Sequence, residues 1–419
     1  MRRIYGFAGD VERDLAAPLG RAGADRRTDL QRDLDHDLGL LAGLLGDGGD
    51  VVLCEAPVSE RSVLVAHAAR LRVRGVRCAE PICCEVSGAV DLATLPTFEA
   101  AVAATGDAYA RGVRPWGWSP RWVARLGPLL RARDIDPAPL LAAARVAADK
   151  AEVAGLRAVL HSDGGGDARG DGALFEDFAA LAAAWARADG AGQAWVVKAR
   201  YGGSGRDAVR LLPGRAEPTA PQRGWIERTL RAQGAVWVER WWSRRGDLGL
   251  LLVPLAGSTA DGVDHAAPRF GLLPAHRAHC DARGQFRGLR LQGWDGAHRR
   301  TPASPARAAL EQIGQAAAAR LAGLGFVGPA GVDLIEREGD PTPWPVELNA
   351  RHTMGHVAHA LGRALPLDAG GWLWIAPRGA RDEVEALAGA HGEAFALTPP
   401  ETARRVVAWC IRDDGEVGR

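Results

Sequence analysis

Apolar and polar positions follow two different rhythms along this chain, and the rhythm changes near residue 194. In the first hundred residues, Val51-Val52-Leu53-Cys54 is a short apolar run behind the turn Gly46-Asp47-Gly48-Gly49, the pattern of a buried strand. Residues 59–74 carry a helical period that stops before Gly75, and a second short strand is expected near 76–79. Strand, helix, strand is the unit of a parallel sheet, so this part reads as α/β. Residues 113–160 read as mostly helical. Their opening, Pro115-Trp116-Gly117-Trp118-Ser119-Pro120, offers Ser119 as N-cap and Pro120 as first helical residue. The two tryptophans suit either a pocket wall or packing between domains. Residues 163–172 (DGGGDARGDG) are polar and glycine-rich and are expected to form a mobile loop.

Beyond residue 194 short strands dominate, at 194–199, 235–241, 248–255 and 271–279. The turn Asp281-Ala282-Arg283-Gly284 leads into a strand at 285–291. An alanine-rich helix over 304–324 has Ser304 as cap and Pro305 at its first position, and strands at 331–337 and 345–349 follow. This half reads as α+β with antiparallel hairpins.

At 419 residues the chain has room for roughly two to four domains. Its 52 Lys and Arg against 51 Asp and Glu leave a net charge of +1, which gives no general reason to expect a nucleic-acid or membrane partner. A local basic cleft for a charged small molecule stays compatible with it. No apolar run reaches the ~18 residues of a membrane-spanning helix. Met1-Arg2-Arg3-Ile4-Tyr5 is followed by Asp10, Glu12 and Asp14 rather than an apolar stretch, so no signal peptide is expected, and a cytoplasmic location is. The six cysteines form no CxxC pair and read as reduced thiols. Cys83-Cys84 reads as a pair of buried small residues rather than a redox or metal pair.

Two segments carry chemistry. The first is Lys198-Ala199-Arg200-Tyr201-Gly202-Gly203-Ser204-Gly205-Arg206, entered from an apolar strand. Glycines let backbone N–H groups approach phosphate closely, and Lys198 can hold an ammonium over the same oxygens. A P-loop is excluded, because no Lys-Ser or Lys-Thr follows Gly205. Gly203-Ser204-Gly205-Arg206-Asp207-Ala208 formally fits a dinucleotide fingerprint. That fingerprint must open a helix, and Pro213-Gly214 stops the chain too soon. A glycine-rich lid between antiparallel strands and a plain hairpin remain.

The second is the turn Gly339-Asp340-Pro341, bracketed by Asp333 and Glu347. Pairing centred on residue 340 puts the two carboxylates opposite each other. Strand alternation puts Glu347, Asn349 and Arg351 on that face, with Val332, Leu334, Leu348 and Ala350 turned to a core. Two acids and an amide suit Mg²⁺, which shares its shell with substrate phosphates; the plainer reading is a solvated face with an Arg–Glu pair. His352, His356 and His359 invite a zinc reading, but the Glu of HExxH is missing. They suit lining a pocket or capping the next helix.

Taken together and in order, these segments resemble the ATP-grasp superfamily, in the form found in carboxylases and related ligases, over residues 145–360. Asp149-Lys150 resembles its first ATP-binding lysine, with Gly155 and Val159-Leu160 following. The resemblance implies that Lys150, Lys198, Gly202, Gly203, Ser204 and Gly205 hold phosphates. Val236-Trp237-Val238-Glu239-Arg240-Trp241 resembles the hinge whose backbone meets adenine, with Glu239 beside the exocyclic amine and Trp241 at the strand end. Asp247 resembles the ribose-binding acid, although Glu is more usual and one extra residue in Ser243-Arg244-Arg245-Gly246 shifts the spacing. Asp333, Glu347 and Asn349 are implied ligands of Mg²⁺, two ions in all, with Mn²⁺ as a substitute. Arg351 is implied to hold a substrate carboxylate or acyl-phosphate oxygens, with Arg277 and Arg290 as lesser candidates.

The implied architecture is α/β and α+β, an ATP-grasp fold behind an N-terminal α/β domain. Residues 1–112 would be that domain, 113–240 a helical linker and lid, and 241–419 the catalytic part. The implied function is an ADP-forming ligase. It would activate a small-molecule carboxylate as an acyl phosphate and join it to an amine, and a homodimer is compatible with this. Gly355 stands where biotin-dependent carboxylases carry a Glu, and no biotin-carrier segment is present, which counts against bicarbonate. Two rivals remain: a small-molecule kinase, with His356 as base, and a non-catalytic ATP-binding module.

Overall fold

The computed structural model describes residues 3–9, 11–16, 27–84, 112–132, 134–161, 172–189, 192–203, 207–214, 217–255, 269–281, 285–291, 305–365 and 370–412. Ser204, Gly205 and Arg206, most of the 163–172 loop, the turn residues 282–284 and the cap Ser304 lie outside them.

The first sheet is parallel throughout, in the order Glu80–Cys83, Val51–Cys54, Ile4–Gly6, Val113–Pro115. The helix Arg61–Val73 makes the crossover between Val51–Cys54 and the edge strand. That edge strand starts at Glu80, four residues beyond the start of the stretch the apolar pattern marks. Val76, Cys78 and Ala79 are buried as a connection instead. Pro81 is tolerated there because, among the described residues, this strand is an edge with one side that has no ladder bond to lose.

The second sheet is antiparallel and eight-stranded among the described residues. Its order is Pro343–Asn349, Ala330–Arg337, Arg244–Pro254, Phe270–Cys280, Phe286–Leu291, Gly371–Pro377, Val406–Arg412, Ala394–Ala396. The helix Pro305–Gly323 covers it with Ile313, Ala317 and Leu321 fully buried. The helix Met354–Ala364 packs between this sheet and the segment Gly39–Leu45 of the N-terminal unit.

The third sheet, in the order Ala173–Phe175, Val236–Arg240, Trp195–Ala199, Ala208–Leu211, is antiparallel. Helices Phe178–Asp189 and Ala220–Gln233 close it over a core of its own, built from Leu181, Trp185, Val197, Leu211, Ile226, Val236 and Val238. The second helix is fixed at both ends. A Thr219–Gln222 capping box starts it, and Gly234 at φ +78°, a backbone shape that costs glycine little, ends it.

A single larger core runs through the parallel sheet and the eight-stranded sheet together, and Trp116, Trp118 and Trp122 belong to it. Of the two expectations for the Trp116-Gly117-Trp118 segment, the structure takes packing between units. The Trp118 indole donates to the Val327 carbonyl at 3.1 Å, and the Trp116 carbonyl accepts from the His352 amide at 2.6 Å. Among the described residues, Tyr201 is the side chain that the unit around the third sheet contributes to this larger core. All six cysteines are free thiols, and burial pushes Cys84 up to about 11 and Cys78 up to about 12, so they are poor nucleophiles. No helix among the described residues is long and apolar enough to cross a membrane.

Candidate active site

The glycine segment is a hairpin: Lys198 pairs with Ala208 across antiparallel strands, so no helix opens after the glycines and the dinucleotide reading falls away. Two of its glycines are required by contact. A Cβ on Gly202 would lie 2.8 Å from Cβ of Asp207, and one on Gly203 would lie 3.1 Å from Oε2 of Glu12. The loop is anchored from below. Asp149 caps the turn Lys150–Glu152 through the Ala151 amide at 3.0 Å and holds Arg200, Nε to Oδ2, at 2.7 Å. Lys150, 5% exposed, then donates to the Gly202 carbonyl at 2.6 Å and meets Glu347 Oε1 at 2.8 Å.

Asp333 and Glu347 are direct cross-strand partners, as pairing around residue 340 requires. The register then slips by one toward the turn, where Leu334 faces Pro345 and Ile335 faces Trp344. This bulge follows from Pro343 and Pro345, which lack the N–H a regular ladder would use. It also turns carbonyls outward: Pro345 accepts from Nε of Arg157 at 2.9 Å, and Val346 from Nζ of Lys198 at 3.4 Å. Asn349 donates to Asp333 Oδ2 at 3.0 Å, and Arg351 Nη2 donates to Asn349 Oδ1 at 2.9 Å. Arg351 also donates to the His352 carbonyl at 3.1 Å and, through Nε, to Glu12.

Asp333 is exposed to solvent, with protein groups crowded about its carboxyl. That crowding, and then the neighbouring Glu347, push its carboxyl up to about 6, against the pull of Arg351, Asn349 and Lys150. Two carboxylates and an amide form an oxygen donor set, with Lys150 and Arg351 beside it. That set fits Mg²⁺, provided phosphate oxygens and water complete the shell. Among the described residues no group of three or more His, Cys, Asp and Glu side chains is arranged to hold a metal by itself.

A second group adjoins the first through the bulge. Glu239 is buried and bonded to Lys198, to Arg157 and, at 3.1 Å, to the Trp237 indole. Burial alone would raise its pKa, but Lys198 and Arg157 outweigh it and hold the carboxyl below its usual range. Its side chain is therefore committed to these partners in this structure. The amide of Trp241 donates to the Ala194 carbonyl at 2.8 Å, and Arg210 lies 3.7 Å over its ring. Residues 237, 239 and 241 thus turn their backbone groups toward Trp195–Ala199. Those of Arg240 face the opposite edge, beyond the point where Ala173–Phe175 ends. Among the described residues, Arg240 is the one of the hinge residues 239–241 whose backbone edge has no paired strand.

Asp247 pairs with Ile335, on the same face as Asp333, and accepts from Arg244 at 2.7 Å; burial raises its pKa. Arg277 is not part of the cluster. It pairs with Glu336 on the opposite face of the sheet and is 58% exposed. His356 caps its helix: Nδ1 accepts from the Thr353 amide at 3.0 Å, Nε2 faces the Leu252 carbonyl at 3.3 Å, and burial takes its pKa down to about 3. His352 is buried against Trp116 and His356, its pKa held well below the usual value by burial.

Three participants carry no sequence signal that reaches across the chain. They are Glu12 and Arg13, on the short helix Val11–Ala16, and Arg157, each 80 residues or more from its partner.

No family model matches this chain, and no curated protein matches it. Solved structures do. An N5-carboxyaminoimidazole ribonucleotide synthetase in complex with ADP is 13% identical, over 99% of this chain and 93% of that chain, with a TM-score of 0.51. The same enzyme from Thermus thermophilus is 16% identical, over 99% and 94%, with a TM-score of 0.50. At these identities the likeness is one of fold: the chain has the ATP-grasp fold, with α/β and α+β parts along its length.

Proposed function

We propose that this protein is an ATP-dependent, ADP-forming ligase that activates a carboxylate and joins it to an amine. The observation that carries the reading is the continuous chain of contacts from Gly202 through Lys150, Glu347, Asp333 and Asn349 to Arg351. It sets the glycine segment at Gly202, an oxygen donor pair and a guanidinium side by side. A substrate carboxylate oxygen takes the γ-phosphoryl group and ADP leaves. The amine then attacks the carbonyl carbon, the bond to the phosphate oxygen breaks, and the amine loses a proton.

In this reading Lys150 and Lys198 neutralise phosphate oxygens, and the backbone of Gly202 and Gly203 approaches them. Ser204 and Gly205 follow directly in sequence and are assigned the same role. Arg240 offers its backbone edge to the adenine, Glu239 positions Lys198, and Asp247 serves the ribose. Arg351 orients the substrate carboxylate. Asp333, Glu347 and Asn349 would hold Mg²⁺, which when bound offsets charge on the transferring phosphate.

The kinase rival loses support at His356, whose ring is spent on the helix cap and on Leu252 and is kept neutral by burial. A non-catalytic module has no need for the paired acids. The test is incubation with Mg-ATP, candidate acids and hydroxylamine. Acid-dependent hydroxamate, ADP and phosphate are expected. ADP with a stable phosphorylated product and no hydroxamate would establish a kinase instead.

A further inference from the structure

The helix Val11–Ala16 brings the N-terminal unit to the cluster. Its Glu12 is 3% exposed. Oε1 accepts from Nε of Arg351, but Oε2 is buried and has no hydrogen-bond partner. On the Oε2 side lies Gly203: a Cβ there would sit 3.1 Å from Oε2 and 3.6 Å from Nη2 of Arg351. The bare oxygen therefore lies against Gly203 of the glycine loop and beside the Arg351 fork, next to where the proposed function places the reacting carboxylate.

A carboxylate oxygen withheld from water without a donor is unfavourable, and such groups in native proteins call for an explanation. The nearby cations do not supply one. Arg13 is turned to Asp207, Nε to Oδ2 at 2.9 Å, and Arg351 spends Nη2 on Asn349 and Nη1 on the His352 carbonyl. The donor Oε2 lacks is one that a ligand can bring.

We propose that Glu12 Oε2 receives the ammonium group of the substrate, so that the acid activated here is an α-amino acid. This rests on the reading of the site as carboxylate-activating and names its substrate class. Glu12 and Arg351 are hydrogen-bonded neighbours, so the charges they recognise on a ligand must be neighbours too. In an α-amino acid the ammonium and carboxylate are separated by one carbon. The protein pair is electrically balanced, which suits a zwitterion. A simple carboxylate would face Glu12 with like charge and leave Oε2 unpaired.

The test uses the full chain with Mg-ATP and hydroxylamine, so that the amino acid is the one substrate whose ammonium varies. Matched acids with and without the α-amino group are compared: alanine and propionate, glutamate and glutarate, each amino acid in both enantiomers. Mg-ATP affinity is measured alongside by calorimetry. Hydroxamate is expected from an amino acid and not from its des-amino partner. Glu12→Gln keeps an acceptor for Arg351 but turns a neutral amide to the ammonium. It is expected to raise KM for the amino acid about tenfold to a hundredfold, with ATP affinity within about twofold. Equal hydroxamate from the des-amino acid, or an unchanged KM in Glu12→Gln, overturns this inference and leaves carboxylate activation standing. No hydroxamate from any acid overturns both. The wild-type comparison of acid pairs decides the matter even where a variant does not fold.

Discussion

Lys150 ties the glycine loop to the acidic hairpin, and Lys150→Met removes its charge while keeping a flexible apolar stem. Two contacts go with it, to the Gly202 carbonyl at 2.6 Å and to Glu347 at 2.8 Å. Both lie where water does little screening, the Lys150 and Glu347 side chains being 5% and 14% exposed. Glu347 is then left opposite Asp333, with Arg351 as the remaining cation nearby. A hydrogen bond to a charged group is worth about 1.5–3 kcal/mol, so a lysine that also serves a phosphate oxygen should contribute about ten- to 150-fold to nucleotide affinity. Mg-ATP binding to Lys150→Met, followed by calorimetry, should weaken by that factor. In denaturant unfolding without nucleotide, the double variant with Glu347→Gln should be less damaged than the two single variants summed, by about 1.5–3 kcal/mol. Affinity within about twofold together with additive stabilities would refute both the ion pair and the phosphate role.

Glu347→Gln should keep the fold and lose Mg-dependent hydroxamate formation; full turnover in that variant would make the hairpin purely structural. Glu239→Ala strands Lys198 and Arg157 without their shared carboxylate and should cost about 3–5 kcal/mol in unfolding, the range for one partner removed from a buried pair. Arg277→Ala, from an exposed pair with Glu336, should cost at most about 1 kcal/mol by the same measurement. His36 bonds Asp37 at 2.9 Å and Glu60 at 2.8 Å. Burial would lower its pKa, but these two partners outweigh it and raise it above 6.5. The charged ring is thus favoured by the folded state. Its contribution is complete below pH 6.5 and is lost as pH rises through the folded pKa, so denaturation midpoints should fall on that rise in the wild type and less in His36→Gln.

Local patterns carried the acidic hairpin well. The spacing of Asp333 and Glu347 about residue 340 and the alternation to Asn349 and Arg351 are period-two facts, and the structure repeats them. The bulge at Pro345 escaped because a slip of one residue leaves the outer pair unchanged. Ser119 before Pro120 is a cap readable one residue at a time, whereas the cap that Asp149 makes emerged only from the structure. The strand expected at 76–79 lies at Glu80–Cys83 instead, where Pro81 is tolerated at what is, among the described residues, the sheet edge; edge position is a property of the whole sheet. Glu239 looked like a charge offered to a ligand; its burial beside Arg157 depends on a contact 82 residues away. Glu12 lies 339 residues from Arg351, and no period or motif spans that distance.

The separate core under the third sheet gives that unit an apolar interior of its own. The larger core and the small one have their own apolar interiors, and Tyr201 is the described side chain that passes between them. What else joins them near the site is polar: Lys150 to Gly202, Arg200 to Asp149, Arg13 to Asp207 and Arg157 to Glu239. Apolar interiors answer to buried area, whereas exposed ion pairs answer to dissolved salt and buried ones much less. Added salt should accordingly weaken Arg13–Asp207 and Arg200–Asp149, which are partly exposed, more than Arg157–Glu239, which is buried.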